Sequence, residues 1–373
     1  MRHPRSFIPP TFPSNSLSTQ DCLHSVYAVS DLHTDYAENL AWVDRLCSRR
    51  HLRDVLLVAG DVSDTLPLFQ QTMATLALKF GLVFFVPGNH DLWLRRDGSE
   101  GKDSLRKLWR IERACEAAGV KTTPQRVRMC GGSVSICPLL SFYHESFDTE
   151  PAISRLRLPS VARVMADYRA CHWPPPLRMG SEDLARLFDR INERQLARSA
   201  AQAENNAWLT PLRSWDDAHG EGAALLSFSH FLPRIELIPE KRFLFYPDLM
   251  KAVGSAPLGA RLKSLRPHAH VFGHTHFGWD GEVEGVRYIQ APLGTPKERR
   301  QRMRTLAIGE MTRGPLEVYD GRRRSGPAGL VARRHAVWSD YYRTTEREPT
   351  TVEPAPWVLK HYLARAPRRV VGS

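Results

Sequence analysis

The 373-residue sequence contains no long apolar run and no paired cysteine motif. A membrane-spanning helix needs about 20 consecutive apolar residues, whereas the longest candidates here, Asp54–Gly60 and Leu82–Pro87, have the length of strands. The sequence therefore predicts no membrane span. The six cysteines form no C-x-x-C pair, and in a chain of this length we expect reduced, mostly buried thiols of an intracellular protein.

The N-terminal segment, residues 1–21, has few acidic residues and lacks the apolar core of a secretory signal. It is rich in proline and serine instead. We expect a disordered tail here, and an organelle-targeting peptide is the alternative. The protein is accordingly predicted to be cytoplasmic unless this tail directs it to an organelle.

Acidic residues are also few near the C-terminus. From Lys297 onwards 17 lysines and arginines stand against 8 aspartates and glutamates, which accounts for most of the net charge of +12. A basic surplus is typical of nucleic-acid-binding proteins. Because this one follows the motifs described below, we favour a solvated basic surface, and binding of anionic partners such as nucleic acid stays the alternative.

Apolar, β-branched runs alternate with amphipathic segments in the first third of the chain. The predicted strands are Val26–Val29, Val55–Ala59 and Leu82–Val86. The predicted helices that follow them are Tyr36–Arg50, Leu66–Phe80 and Ser104–Ala118. Gly81 and Gly119 are read as helix stop signals. Three such repeats imply a parallel sheet, whose strands place their carboxyl ends, and any ligand site, at one edge.

The middle of the chain, residues 141–222, has irregular periodicity and is interrupted by Trp173-Pro174-Pro175-Pro176. A helix is predicted within it over Ser181–Asn206, and we expect an insertion over the functional site. Further strands are predicted at Ser133–Leu140, Ala223–Phe228, Ala269–Phe272 and Val286–Gln290. We therefore predict one domain over residues 22–320 that contains this insertion, followed by a basic C-terminal extension, residues 321–373.

Five short polar motifs follow the apolar runs. They are Asp31-Leu32-His33, Gly60-Asp61-Val62-Ser63-Asp64, Gly88-Asn89-His90-Asp91, Ser229-His230-Phe231 and Gly273-His274-Thr275-His276. Imidazole and carboxylate ligands together suit zinc, iron or manganese. Two adjacent metals usually catalyse phosphate-ester chemistry. Each motif alone is a weak signal, but their order at successive strand ends predicts a hydrolytic metal centre.

This series resembles the signature of the calcineurin-like metallophosphoesterase superfamily: D-x-H, G-D-x-x-D, G-N-H-[DE], H and G-H-x-H. The resemblance extends from Asp31 to His276 and implies an α/β fold, a four-layer sandwich of two mixed β-sheets flanked by helices. It also implies two divalent or trivalent metal ions, Mn, Fe or Zn, bridged by Asp61. The implied ligands of the first metal are Asp31, His33, Asp61 and His276. Those of the second are Asp61, Asn89, His230 and His274.

The resemblance also implies a mechanism in which a metal-bridging hydroxide attacks phosphorus. His90 would act as general acid or hydrogen-bond donor to the leaving oxygen, and Asp91 would hydrogen-bond His90 and orient it. Asp64 would support the loop rather than bind metal. Arg234, four positions after His230, is a candidate substrate contact, because guanidinium groups pair well with phosphate oxygens.

The sequence departs from the motifs of two branches of the superfamily, which narrows the predicted activity. Thr34, Thr65 and Asp91 replace residues typical of phosphoprotein phosphatases, and Val62–Thr65 lacks the tyrosine ligand of purple acid phosphatases. The stretches Ser229–Arg234 and Arg287–Leu293 are similar to uncharacterised plant and algal calcineurin-like phosphoesterases. We predict a phosphomonoesterase or phosphodiesterase that acts on a phosphorylated small molecule or an exposed phosphate ester. A nuclease of the same fold and a non-catalytic scaffold are the alternatives.

Overall fold

A computed structural model describes residues 22–96, 103–154, 156–201, 206–309, 311–323 and 326–365 of the chain. The N-terminal segment that was predicted to be a disordered or targeting tail, residues 1–21, lies outside these ranges. The strands are β1 (Ser25–Val29), β2 (His51–Ala59), β3 (Phe80–Val86), β4 (Gln125–Met129), β5 (Gly132–Pro138), β6 (Leu209–Pro211), β7 (Ala224–Phe228), β8 (Ala269–Phe272), β9 (Trp279–Val283), β10 (Val286–Gln290) and β11 (Leu316–Asp320). The helices are α1 (Ala37–Arg45), α2 (Leu66–Lys79), α3 (Ser104–Ala117), α4 (Val161–Val164), α5 (Asp167–Ala170), α6 (Glu182–Ala201), α7 (Ala256–Leu265), α8 (Pro296–Leu306), α9 (Val337–Thr344) and α10 (Pro356–Arg365).

Two mixed sheets are present, as the resemblance implied. The first has the strand order β11-β1-β2-β3, in which β1, β2 and β3 are parallel and β11 is antiparallel to β1. The second has the order β6-β4-β5-β7-β8-β10-β9, with a parallel centre formed by β5, β7, β8 and β10. The predicted parallel arrangement of the first three strands is therefore confirmed.

The two sheets pack face to face, and helices cover their outer faces. Along β7, Leu226 and Phe228 lie in the core shared with the first sheet, while Leu225 faces the other way and packs with residues of α7. This alternation follows from the two-residue period of a strand. Helix α2 packs on β2 and β3, and α9 packs on β9. The four-layer α/β prediction is thus confirmed.

Tertiary pairing corrects two boundaries predicted from the sequence. β2 and β3 begin earlier than their apolar runs, because His51 lies opposite Phe80 in the sheet and stacks on its ring with centroids 4.7 Å apart. Gly81 therefore lies inside β3 and is not a helix stop. A Cβ atom at Gly81 would lie 2.7 Å from the carbonyl oxygen of Leu52, so close backbone approach explains this glycine.

The insertion, residues 141–222, belongs to the same fold. Its short strand β6 pairs with β4 at the edge of the second sheet, and α6 packs against α7. Helix α6 starts after Ser181, whose hydroxyl oxygen accepts a hydrogen bond from the amide of Leu184. The helix reaches Ala201 within the described residues, and the predicted end at Asn206 follows a segment, residues 202–205, outside them.

The C-terminal extension packs on the domain through a few contacts, while its described lysine and arginine side chains other than Arg347 are exposed, as expected for a solvated basic surface. Arg347 forms an ion pair of 2.6 Å with Glu150, which is buried. The hydroxyl of Tyr342 donates to Glu240 over 2.8 Å, and the amide of Ala355 donates to the carbonyl of Arg242 over 2.9 Å. These contacts join α9 and α10 to the insertion and to the segment that follows β7.

The expectation of six reduced thiols is wrong for Cys22 and Cys130, which form a disulfide. The chain before β1 runs beside the end of β4, so the two Cα atoms lie 4.9 Å apart, within the range that a disulfide requires. Cys115, Cys137 and Cys171 are buried free thiols. Among the described residues, no helix combines the length and the apolar character that crossing a bilayer demands.

Candidate metal centre

The polar motifs lie in loops whose backbone adopts an uncommon conformation. Five non-glycine residues of these motifs have positive φ angles, a region in which L-residues are rare and strained. They are Asp31 (55°), His33 (42°), Asp61 (55°), His274 (77°) and His276 (53°). Strain concentrated in this way is typical of functional sites, since the surrounding structure must hold it in place.

Backbone hydrogen bonds hold the first two loops side by side. The amide of Asp31 donates to the carbonyl of Gly60 over 3.0 Å, and the amide of His33 donates to that of Asp61 over 2.8 Å. The third loop joins them through Asp61, whose Oδ1 accepts from the amide of His90 over 2.9 Å. The carboxyl ends of β1, β2 and β3 are adjacent in the sheet, so these loops meet at one edge.

One group of four side chains offers ligand atoms that all lie within 4.8 Å of one another: Asp31, His33, Asp61 and His276. The Nε2 atoms of His33 and His276 are 3.1 Å apart, and Asp31 Oδ1 is 3.2 Å from His276 Nε2. Burial opposes a positive charge on His276, but Asp31 and Glu298 outweigh it and raise the pKa of this imidazole to about 10. The group therefore favours a cation at its centre.

A second group of side chains surrounds the amide oxygen of Asn89. This Oδ1 atom lies 3.1 Å from His230 Nε2 and 3.0 Å from His274 Nδ1. The opposite ring nitrogens face backbone carbonyls, because His230 Nδ1 is 2.9 Å from Ala59 O and His274 Nε2 is 2.7 Å from Ala252 O. With protons on those nitrogens, both lone pairs point towards Asn89, as metal ligation requires.

Asp61 lies between the two groups. Its Oδ2 atom is 3.8 Å from His33 Nε2, and its Oδ1 atom is 3.5 Å from His230 Nε2. Burial together with Asp91 and Asp31 raises the pKa of Asp61 well above its usual range, so the ionised form needs a nearby cation. The buried nitrogen and oxygen donors of both groups fit divalent or trivalent metal ions.

Asp91 does not have the partner that was expected for it. Among the described residues it accepts hydrogen bonds from the backbone amides of Asp61, Val62, Ser63 and Gly88, over 2.9 to 3.0 Å, and it makes none to His90. Burial raises its pKa to about 6, although these amides oppose the shift. The 3₁₀ turn that begins at His90 directs Asp91 beneath the loops, so the predicted His90–Asp91 pair is wrong.

The ring of Trp93 packs on His90 instead. The two rings stack with centroids 3.5 Å apart, and His90 also meets the ring of His33 edge-on at 4.7 Å. His90 Nε2 lies 3.9 Å from Asp61 Oδ2, and 29% of the side chain is exposed. Burial and the neighbouring histidines lower its pKa well below the usual range. Trp93 was not identified from the sequence, where only an aromatic residue three positions after His90 could have suggested it.

Glu298 is a further residue that the sequence motifs did not reveal. Its carboxylate lies 2.7 Å from His276 Nδ1 and also accepts from the backbone amide of Thr295, within a capping box that starts α8. The T-x-x-E spacing was a readable signal for the helix start. Its contact with a histidine 22 residues away required the tertiary fold.

Arg234, the candidate substrate contact, is engaged elsewhere. Its guanidinium pairs with Glu284 over 2.7 Å and with Glu236 over 2.9 Å. Contact of Arg234 with a substrate phosphate stays a prediction. Asp64 pairs with Arg95 and Arg96, each over 3.4 Å, in agreement with a supporting role for this carboxylate.

Comparison with known proteins identifies the family. The family model described as calcineurin-like phosphoesterase matches residues 24–278, which include all five motifs. The chain belongs to this family. It is therefore a metal-dependent hydrolase of phosphate esters, in agreement with the prediction from the sequence.

The similar proteins include one with a described activity. The chain is 26% identical over 287 residues to [acyl-carrier-protein] phosphodiesterase PptH of Mycobacterium tuberculosis, and the match covers 74% of this chain and 80% of that protein. The crystal structure of phosphopantetheinyl hydrolase (PptH) from Mycobacterium tuberculosis has the same fold, with a TM-score of 0.54 and 22% identity. That comparison covers 79% of this chain and 95% of the solved chain.

Proposed function

We propose that this protein is a phosphodiesterase with a binuclear metal centre. The first ion is held by Asp31, His33, Asp61 and His276. The second is held by Asp61, Asn89, His230 and His274. The observation that carries this proposal is the position of Asp61, since one of its oxygens faces each group at distances of 3.8 and 3.5 Å to the nearest histidine. A carboxylate in that position suits a bridging ligand.

Two bound metals supply a nucleophilic water at neutral pH and offset negative charge on the phosphoryl oxygens. His90 then interacts with the leaving oxygen. It lies beside Asp61 and is partly exposed, so a substrate can reach its ring. Because its pKa is lowered, the imidazole is neutral near pH 7 and carries one N–H, which donates a hydrogen bond to the leaving oxygen.

The substrate that we propose is a phosphodiester joining phosphopantetheine to an acyl carrier protein. Support comes from the relative named [acyl-carrier-protein] phosphodiesterase, whose match covers 80% of its length. The intact series of motifs from Asp31 to His276 argues against a scaffold that has lost its activity. Hydrolysis would release the prosthetic group and leave the carrier protein unmodified.

To test this proposal, the full chain would be reconstituted separately with Mn, Fe or Zn. Each preparation would be incubated with p-nitrophenyl phosphate, bis-p-nitrophenyl phosphate and a phosphopantetheinylated acyl carrier protein. We expect hydrolysis of the diester and release of phosphopantetheine, which intact mass spectrometry of the carrier measures. Asp61→Asn is the inactive control, because a bridging anion is lost. Hydrolysis of the monoester alone would contradict the proposal.

A further inference from the structure

Asp167, the first residue of α5 in the insertion, makes a set of contacts that the motifs do not account for. Its side chain is completely buried. The carboxylate Oδ1 atom accepts from Asn89 Nδ2 over 2.8 Å and from Trp93 Nε1 over 2.6 Å. The Oδ2 atom accepts from the hydroxyl of Tyr143 over 2.9 Å. One carboxylate thus reaches three side chains around the metal centre.

The contact with Asn89 decides which atom of that amide faces the metal site. A carboxylate is an acceptor only, so the NH2 group of Asn89 must point to Asp167. The amide oxygen then points to His230 and His274, which lie 3.1 and 3.0 Å from it. If the amide turned over, it would present hydrogen atoms to the ligand position, and a metal ion could not bind there.

The other two contacts act on neighbouring rings. Trp93 is the residue on which His90 stacks, with centroids 3.5 Å apart. Tyr143 stacks beside His274 with ring centroids 6.1 Å apart and an angle of 29° between the planes. These three donors to the Asp167 carboxylate are neutral groups, so this carboxylate also brings negative charge close to Asn89.

We infer that Asp167 is a positioning residue through which the insertion completes the second half of the metal centre. The inference rests on the proposed binuclear function. Asp167 holds Asn89 with its oxygen towards the second ion and keeps the Trp93 surface on which His90 lies. The insertion therefore has a structural role at the site, because it supplies the carboxylate that contacts Asn89 and Trp93.

The test compares Asp167→Asn with the wild type and with Asp183→Asn, an exposed acid of the same insertion. Partners of metal ligands typically change metal affinity by about 10- to 100-fold. We expect Asp167→Asn to lose affinity by this factor for one ion only, as measured by metal titration and elemental analysis. Turnover of bis-p-nitrophenyl phosphate should fall at limiting metal and recover in large part with excess metal. The control should match the wild type in both respects.

Thermal unfolding of the metal-free variants separates positioning from stability. Tyr143→Phe removes one of the three donors and serves as a second variant in case Asp167→Asn does not fold. It should show a smaller loss of affinity for the same ion. Wild-type affinity for both ions and wild-type turnover in Asp167→Asn would overturn the role of this residue. A loss that excess metal does not restore, together with a lower unfolding temperature, would also overturn it. A wild-type protein that binds a single ion would instead overturn the binuclear proposal.

Discussion

At the residue scale, the structure separates the two roles that the Gly88-Asn89-His90-Asp91 motif suggested for a His90–Asp91 pair. Asp91 holds the backbone amides of two loops, while His90 lies above them on Trp93. Neutral His90 near the open side of the site suits hydrogen-bond donation to a leaving oxygen. The chemical role therefore concentrates on one side chain, and Asp91 maintains the loop that carries it.

Replacement of His90 by alanine should leave the metals in place and slow the reaction. His90 is outside both groups of proposed ligands, and a positioned acid contributes roughly 100-fold or more to turnover. We expect kcat to fall by about that factor with two ions still bound, measured by steady-state kinetics and elemental analysis. His335→Ala, an exposed histidine distant in sequence, is the control. Unchanged kcat at full metal occupancy would refute the role of His90.

Glu298 should affect metal binding more than chemistry. It holds the Nδ1 side of His276, which fixes the tautomer and ring orientation of that proposed ligand. In Glu298→Gln we expect about 10- to 100-fold weaker binding of one ion. Isothermal titration of the metal-free protein with metal measures this affinity. Glu282→Gln, at an exposed position of β9, serves as the matched control. Equal affinities in the wild type and Glu298→Gln would show that this contact is not needed.

At the scale of elements, the site depends on loops that pass very close to one another. Gly88 ends the path from β3, and a Cβ atom there would overlap Asp61 Oδ1. The absence of a side chain at Gly88 therefore lets the third loop reach the bridging carboxylate. Glycine is required here for close approach between backbone and side chain, and not for helix or strand propensity.

Gly88→Ala should accordingly displace Asp61 and weaken the binding of both ions, with loss of activity. Gly119→Ala is an informative comparison, because Gly119 has φ of 72° but no neighbouring atom within 4 Å of an added Cβ. That variant should lose stability by about 1 to 2 kcal/mol and keep metal binding and turnover. Elemental analysis of both variants measures metal content, and thermal unfolding measures stability. Full metal occupancy in Gly88→Ala would show that the loop can adjust.

At the scale of the whole molecule, a few arginines attach the basic C-terminal extension to the domain. Arg347 pairs with buried Glu150, and Arg333 donates to the backbone carbonyl of Asp280 over 3.0 Å. The other described lysine and arginine side chains of the extension are exposed, so a nuclease of the same fold stays the alternative. Binding of DNA or RNA that falls steeply with salt would favour that alternative.

Loss of the Arg347 pair should destabilise the protein. Arg347→Ala would leave the Glu150 carboxylate buried without its cation, a change that costs about 3 to 5 kcal/mol in buried pairs. We expect a lower free energy of unfolding in urea, with little change in turnover below the transition. Arg343→Ala, an exposed arginine of α9, is the control. Equal unfolding free energies for the two variants would show that the Arg347–Glu150 pair does not stabilise the protein.

The sequence by itself determined the parallel core of the first sheet and the series of polar motifs. Both depend on neighbours in the chain: a run of apolar residues forms a strand, and the polar residue after it lies at the end of that strand. The strands β1, β2 and β3, the proposed ligands and the family resemblance could therefore be predicted. Metal binding by each of these residues stays a prediction.

Only the tertiary structure decided what surrounds those motifs. Asn89 and Asp167 are 78 positions apart, and His276 and Glu298 are 22 apart, so no local pattern joins them. The same holds for the Cys22–Cys130 disulfide, the Arg234–Glu284 ion pair and the packing of α10. Strand ends are set by short-range hydrophobic pattern, whereas a side chain's partner depends on which distant segments the fold brings within hydrogen-bonding distance.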